Sequence, residues 1–314
     1  MSRQALSRVA VVTDSTASLP AGVAERWGIG VVPLDVIVDG VEHVEGIDLS
    51  PAELLAALRQ GSRRVTTSQP PPAAFAAAYE RAAAAGAHEI VSVHLSGELS
   101  GTVRAARLAA ASSPVPVQVV DSRAVGMVLG FAVIEAARLA AQQPAPGPTG
   151  RLAVARSRWQ DRHRTDPVAH TAADVAALAH RTAGSARVWF LVDSLDHLRR
   201  GGRLSAPAAA LGAVLGLRPI LTLTDGRVEL LEKVRTRRAG RDRLVALAVA
   251  DASARTATRI AVHHLQQPDV AQALVDELVA ALGDSLVEAV VSESSAVLAA
   301  HTGPGVLGIV VADA

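Results

Sequence analysis

The chain has 314 residues, mean hydropathy +0.28, and 31 Lys+Arg against 30 Asp+Glu. That balance excludes an electrostatic case for nucleic acid or an anionic membrane surface. The absence of cysteine excludes disulfides, thiolate metal sites, iron–sulfur clusters and a cysteine nucleophile. Half of the residues are apolar and 2% aromatic, so the core must be built from Ala, Val, Leu and Ile.

Arg3, Arg8, Asp14 and Pro20 interrupt any apolar run at the start, and no spanning segment follows, so a soluble, cytoplasmic protein is expected. The length points to two domains: an N-terminal α/β domain over 1–142 and a C-terminal α/β domain over 186–314. An atypical insertion and helix over 143–185 is expected between them.

Short β-branched runs alternate with Ala-rich helical stretches throughout, the pattern of an α/β chain. Val9–Thr13 is the first strand; a helix then starts near Ser18 and Pro20 and is stopped by Gly28. Val31–Val38 reads as the next strand, up to Asp39-Gly40. Ser50-Pro51 with Glu53 is a capping box opening a helix to about Arg59. Three prolines after Gln69 mark residues 65–72 as a stiff polar loop.

Phe75–Ala85 then reads as a helix, Glu89–Leu95 as a strand, Thr102–Ala111 as a helix, Val117–Val120 as a strand and Val125–Gln142 as a helix. Pro144, Pro146, Gly147, Pro148 and Gly150 open the irregular stretch to about residue 169. Thr171 caps the next helix, and Val188–Val192 is a strand. Pro219–Leu223 and Val228–Leu231 flank Asp225-Gly226, a hairpin signal that the first half lacks. Arg259–Val262, Asp269–Leu282, Val287–Val291 and Val306–Val311 complete the chain as strand, helix, strand, strand. The fold class expected is a doubly wound, mostly parallel N-terminal sheet followed by a mixed or antiparallel C-terminal one.

Four loops at predicted strand ends share small hydroxyls beside glycine or proline: Asp14-Ser15-Thr16, Thr66-Thr67-Ser68, residues 96–102 and Asp121-Ser122. Hydroxyls and free helix-start N–H groups suit a carboxylate or phosphate oxygen, although the same residues are ordinary helix caps. No P-loop, G-x-S-x-G elbow or G-x-G-x-x-G follows a strand. His263 and His264 are adjacent, so on a strand they face opposite ways and cannot chelate one metal. No metal or nucleotide cofactor is indicated.

Read in order, these loops resemble the DegV family of bacterial fatty-acid-binding proteins. The matching stretches are Val12–Ala17, Thr67-Ser68-Gln69-Pro70, Leu95–Thr102, Asp121-Ser122, Leu198–Ser205, Lys233–Thr236 and His301-Thr302-Gly303-Pro304-Gly305. The resemblance implies a two-domain protein with one long-chain fatty acid buried in an aliphatic tunnel. It further implies a non-enzyme that presents this ligand to the catalytic subunit of a fatty acid kinase, which makes the acyl phosphate.

Carried over residue by residue, the carboxylate is expected at Thr67, Ser68, Ser96 and Gly97, with His301 and Arg235 beside the headgroup and Arg203 docking the kinase. Departures are Gly97 in place of a second serine, Val103 in place of an aromatic, and the insertion at 143–169. The alternative is a hydrolase or phosphotransferase that uses the same loops with His301 as acid/base.

Overall fold

The computed structural model describes residues 9–60, 63–142, 170–205 and 217–314. The irregular insertion expected at 143–169 lies outside the described residues.

The first sheet is wholly parallel, in the order β2 (Gly30–Val32), β1 (Val9–Asp14), β6 (Glu89–His94) and β7 (Val117–Asp121). Its central strands are buried on both faces, which is why they read as continuous apolar runs rather than alternating ones. Helices α3 (Pro72–Ala84) and α4 (Thr102–Ala110) cover its outer face through Phe75, Tyr79, Ala105 and Ala109. Short α1 (Val23–Trp27) ends on Gly28, as its sequence predicts.

Helices α5 (Met127–Ala141) and α6 (Ala172–Ser185) cover the inner face. Helix α5 is apolar all round and buried along nearly its whole length, because it packs between two sheets. Thr171 and Asp174 close a reciprocal capping box at the start of α6.

The second sheet has the order β10 (Arg227–Val234), β9 (Arg218–Thr224), β8 (Arg187–Leu191), β13 (Leu307–Asp313), β11 (Thr258–His264) and β12 (Leu286–Glu293). It is mixed: only β11 and β12 run parallel. One face meets α5 and α6 through Val188, Ala261 and Val310. Short α7 (Asp196–Arg200) follows β8, and the other face packs on α8 (Arg237–Ala252) and α9 (Pro268–Leu282). The β9–β10 turn carries Asp225 at φ 51° and Gly226 at φ 79°, the left-handed pair that a two-residue hairpin requires.

A third, three-stranded antiparallel sheet, β4 (Val41–Val44), β3 (Asp35–Val38) and β5 (Val65–Ser68), corrects two expectations. The Val31–Val38 run breaks at Pro33-Leu34, and Asp39-Gly40 is a hairpin turn of the same left-handed kind, at φ 52° and 86°. The stretch read as a stiff loop enters this sheet through Val65–Ser68, with Val36 opposite Thr67; the three prolines follow the strand and remove none of its donors. Helix α2 (Pro51–Arg59) starts with both halves of the Ser50–Glu53 capping box. Leu34, Val36, Leu54 and Leu58 pack this unit onto Leu198, Leu221, Val297 and Val306 of the second half.

A buried polar chain ties β1 to β6. Tyr79 Oη donates to Ser92 Oγ at 2.9 Å, Ser92 Oγ meets His94 Nε2 at 2.6 Å, and His94 Nδ1 meets Asp14 Oδ2 at 3.0 Å. Asp14 also accepts from Leu95 N at 3.0 Å, Thr16 N at 3.1 Å and Thr16 Oγ1 at 2.5 Å. The Ser92–His94–Asp14 geometry is that of a hydrolytic triad, but all three residues have 0% exposure, so no substrate reaches it. It fixes the Leu95 backbone, and with it the start of the loop after β6. Burial pushes the Tyr79 hydroxyl up to about 12.

Among the described residues, no helix is long and apolar enough to cross a membrane. None of their His, Asp and Glu side chains form a group of three or more placed to hold a metal.

Candidate binding site

A cavity of about 1050 Å³, part of it open to solvent, lies between the α5 layer, the second sheet and the small third sheet. Its aliphatic wall comes from Leu95 and Leu99 after β6, Val188 and Phe190 of β8, Leu223 of β9 and Val228 of β10. Val297 and Leu298 are added by α10 (Ala296–Thr302). The polar members are Thr67, Ser68, Gln69, Ser100, Arg203, His301 and Thr302, together with His263 and Ser294.

Three of these gather in one cluster. Thr67 Oγ1 and His301 Nε2 lie 2.9 Å apart, bringing together residues 234 positions distant in sequence. Arg203 Nε donates to Leu99 O at 3.0 Å and its Nη1 to Gly201 O, which places the guanidinium charge beside the imidazole. Gly201 passes so close to His301 Nδ1 that a methyl there would collide with the ring. The Gln69 amide packs on Gly101 in the same way.

His301 is held by a short helix whose start is satisfied from two sides: Ser295 Oγ accepts from Leu298 N, and Glu45 Oε1 accepts from Val297 N at 2.9 Å. Glu45 is buried in the link after β4, and burial raises its pKa. This anchor was not visible in the sequence, because nothing local joins Glu45 to α10. Gly303, at φ 78°, ends the helix where a side chain would strike His197.

Burial, with Arg203 and His197 nearby, pushes His301 down to about 4. It is therefore neutral at pH 7. Among the described residues no carboxylate is bonded to it, so the orienting partner of a catalytic imidazole is missing from this pair. As pH falls, the unfolded chain takes up this proton first, so stability is lost between about pH 6.5 and 4. Between about pH 7.5 and 5, the native chain is expected to lose roughly 2 kcal/mol more than His301→Gln in urea unfolding. Equal losses would show that His301 is protonated as readily in the folded state as in the unfolded.

The remaining expected residues stand elsewhere. Ser68, on the cavity wall, donates to Asp35 Oδ2 at 3.2 Å. Ser96 is fully buried and does not line the cavity: its hydroxyl donates to Gly226 O at 2.8 Å and accepts from Glu98 N. Gly97 is exposed, and its N–H donates to Asp121 Oδ1 at 3.1 Å. Ser96 thereby clamps the loop after β6 to the β9–β10 turn, assisted by an ion pair of 2.6 Å between Arg227 and Glu98. A side chain at Gly226 would strike the Ser96 hydroxyl. Arg235 is exposed in the link from β10 to α8, away from the cavity wall. The Asp14-Ser15-Thr16 loop turns its polar atoms inward and offers none to the cavity.

A family model described as "Uncharacterised protein, DegV family" matches residues 8–147 and 169–314. A DegV domain-containing protein of Streptomyces coelicolor is 44% identical over 303 residues, 96% of this chain and 98% of that one. One from Mycobacterium tuberculosis is 36% identical over 312 residues, 96% of each. Among solved structures, a fatty-acid-binding DegV family protein from Thermus thermophilus matches with a TM-score of 0.80 at 34% identity, covering 98% of this chain and 100% of that one. DegV of Bacillus subtilis, a fatty acid binding protein, matches with a TM-score of 0.80 at 29% identity and the same coverage. The chain belongs to the DegV family.

Proposed function

We propose that the cavity binds one long-chain fatty acid, its carboxylate at the Thr67–His301 cluster and its acyl chain along the aliphatic wall. The observation that carries this reading is the pairing of a hydroxyl, a neutral imidazole and a nearby guanidinium at one part of a cavity with a wall rich in Leu, Val and Phe. A buried carboxylate needs a donor and a compensating charge, and Thr67 and Arg203 supply them. Each methylene removed from water contributes about 0.8 kcal/mol, so a sixteen-carbon chain supplies on the order of 10 kcal/mol gross, much of it offset by ordering. Fatty acid binding by the Thermus and Bacillus proteins supports the same assignment.

In this reading Thr67 meets the carboxylate, while Ser68, whose hydroxyl already donates to Asp35, steadies the strand beside it. Ser96 and Gly97, whose polar groups already have partners, act on it through the loop they hold. Thr67→Val is expected to weaken fatty acid binding by about 1–3 kcal/mol, the cost of an unmet buried acceptor, and Ser96→Ala by less. Titration calorimetry with palmitate decides the order. A larger loss in Ser96→Ala places the carboxylate at the loop after β6 instead.

The protein on this account does not itself catalyse. A separate ATP-dependent kinase phosphorylates the bound carboxylate, docking at the Gly201–Arg203 turn that borders the polar cluster. Acyl phosphate formation by the kinase with this chain present, and none with the chain alone, is the expected result. Turnover of acyl or phosphoryl esters by the isolated chain, abolished in His301→Ala, would replace this reading with the hydrolytic one.

A further inference from the structure

Gly308 lines the cavity from β13, a strand with neighbours on both sides in the second sheet. Its φ is not positive, so any residue could adopt its backbone conformation. Glycine there adds no packing to a buried strand and costs more order on folding than alanine would. A glycine inside a strand marks a place where something else comes close to the backbone.

The register shows what is missing. His263, Gly308 and Phe190 are direct cross-strand partners on β11, β13 and β8, so they share the face turned to the cavity, and all three line it. In the next row Val310 fills the same place between Ala261 and Val188. Phe190 has a strand on each side yet is only half-buried, because the space beside it belongs to the cavity. A Cβ at Gly308 would lie 3.2 Å from Phe190 Cβ, 3.5 Å from Trp189 O and 3.6 Å from His263 Cβ, and no atom of the α5 layer comes nearer. The gap therefore holds a single carbon between the roots of two rings. An unbranched acyl chain passing over the row leaves it empty, and its walls forfeit their dispersion contacts.

We propose that the gap over Gly308 takes a methyl branch carried partway along the acyl chain, which makes Gly308 a specificity-determining residue and methyl-branched fatty acids the preferred ligand class. The gap is one carbon wide and walled along its row by Phe190 and His263, so it admits a substituent without redirecting the chain, as a cis bend would need. A ligand methyl is not tied to the β13 backbone and sits high enough to relieve the close approach to Phe190. This inference rests on the fatty-acid reading above and deepens it: the Thr67–His301 cluster fixes one end of the ligand, and the gap then selects the carbon that bears the branch.

The test is calorimetric titration of the full chain with stearate and a series of monomethyl-branched stearates differing only in the carbon that bears the methyl. One regioisomer is expected to bind about fourfold tighter than stearate, the effect of one methyl group removed from water. In Gly308→Ala the protein's own methyl occupies the gap, so that regioisomer is expected to bind no tighter than stearate, while stearate itself still binds. Should Gly308→Ala not fold, the preferred regioisomer with a 13C-labelled branch serves instead: its methyl resonance is expected to shift on binding to the native chain and to lose that ring-current shift in Phe190→Leu. Stearate binding with no regioisomer preferred, a preference that survives in Gly308→Ala, or a methyl resonance that is the same in the native chain and Phe190→Leu overturns this inference alone. Failure of stearate and of every regioisomer to bind overturns the fatty-acid reading together with it.

Discussion

Asp14→Ala is expected to remove about 3–5 kcal/mol of folding stability. Asp14 is wholly buried, and its two oxygens accept from Thr16 N, Thr16 Oγ1, Leu95 N and His94 Nδ1. Alanine leaves all four donors without an acceptor in a region that water does not reach, and strands the His94 ring against Ser92 and the edge of Phe75, 5.0 Å away. Asp14→Asn keeps the volume but turns an NH₂ group toward one pair of donors, so an intermediate loss is expected. Urea unfolding followed by far-ultraviolet circular dichroism measures both. A loss under about 1 kcal/mol for the alanine variant would mean that the buried chain is dispensable, and that the loop after β6 is positioned by other contacts.

Leu223→Trp is expected to weaken palmitate binding at least thirtyfold, which corresponds to about 2 kcal/mol. Leu223 sits on β9, half-buried, with its side chain on the cavity wall and packed against both the α5 layer and the small third sheet. An indole there fills space that the acyl chain needs. Because the residue is not sealed in the core, folding should suffer less than binding does. The loss should shrink for decanoate, which reaches less far along the wall. A folded variant with native palmitate affinity would show that the acyl chain lies elsewhere.

Much of the fold was legible because its signals are local. The Ser50–Glu53 box, the Thr171 cap, Gly28 and the Asp225-Gly226 turn each act within four residues, and the structure has each where the sequence places it. Asp39-Gly40 carried the same turn signal as Asp225-Gly226. The strand that follows it is only four residues long and bears Glu42 and His43 rather than an apolar face, so no hydrophobic pattern accompanies the turn. At residues 65–72 the prolines outweighed the short β-branched run, although a proline disturbs only the residues at and before it.

The site divides in the same way. Thr67 and His301 could be picked out as strand-end and glycine-bounded polar residues, but their meeting at 2.9 Å depends on how the third sheet lies across the second half of the chain, which no local pattern encodes. Ser96 comes in as a ligand through the family resemblance, and the sequence offers no check, since a loop serine looks alike whether its hydroxyl faces a cavity or the Gly226 carbonyl. His263 was weighed only against metal binding; its actual partner, Met127 N, lies 136 residues away. Glu45 gave no signal, since a carboxylate after an exposed strand resembles any solvated one until Val297 is packed against it.

The measurement that tests the central claim most directly is native mass spectrometry of the freshly purified chain, followed by denaturation and identification of what is released. This account predicts one fatty acid per chain, and its loss in Leu223→Trp. A chain that is empty as purified, and stays empty after incubation with saturated and unsaturated fatty acids, would contradict it.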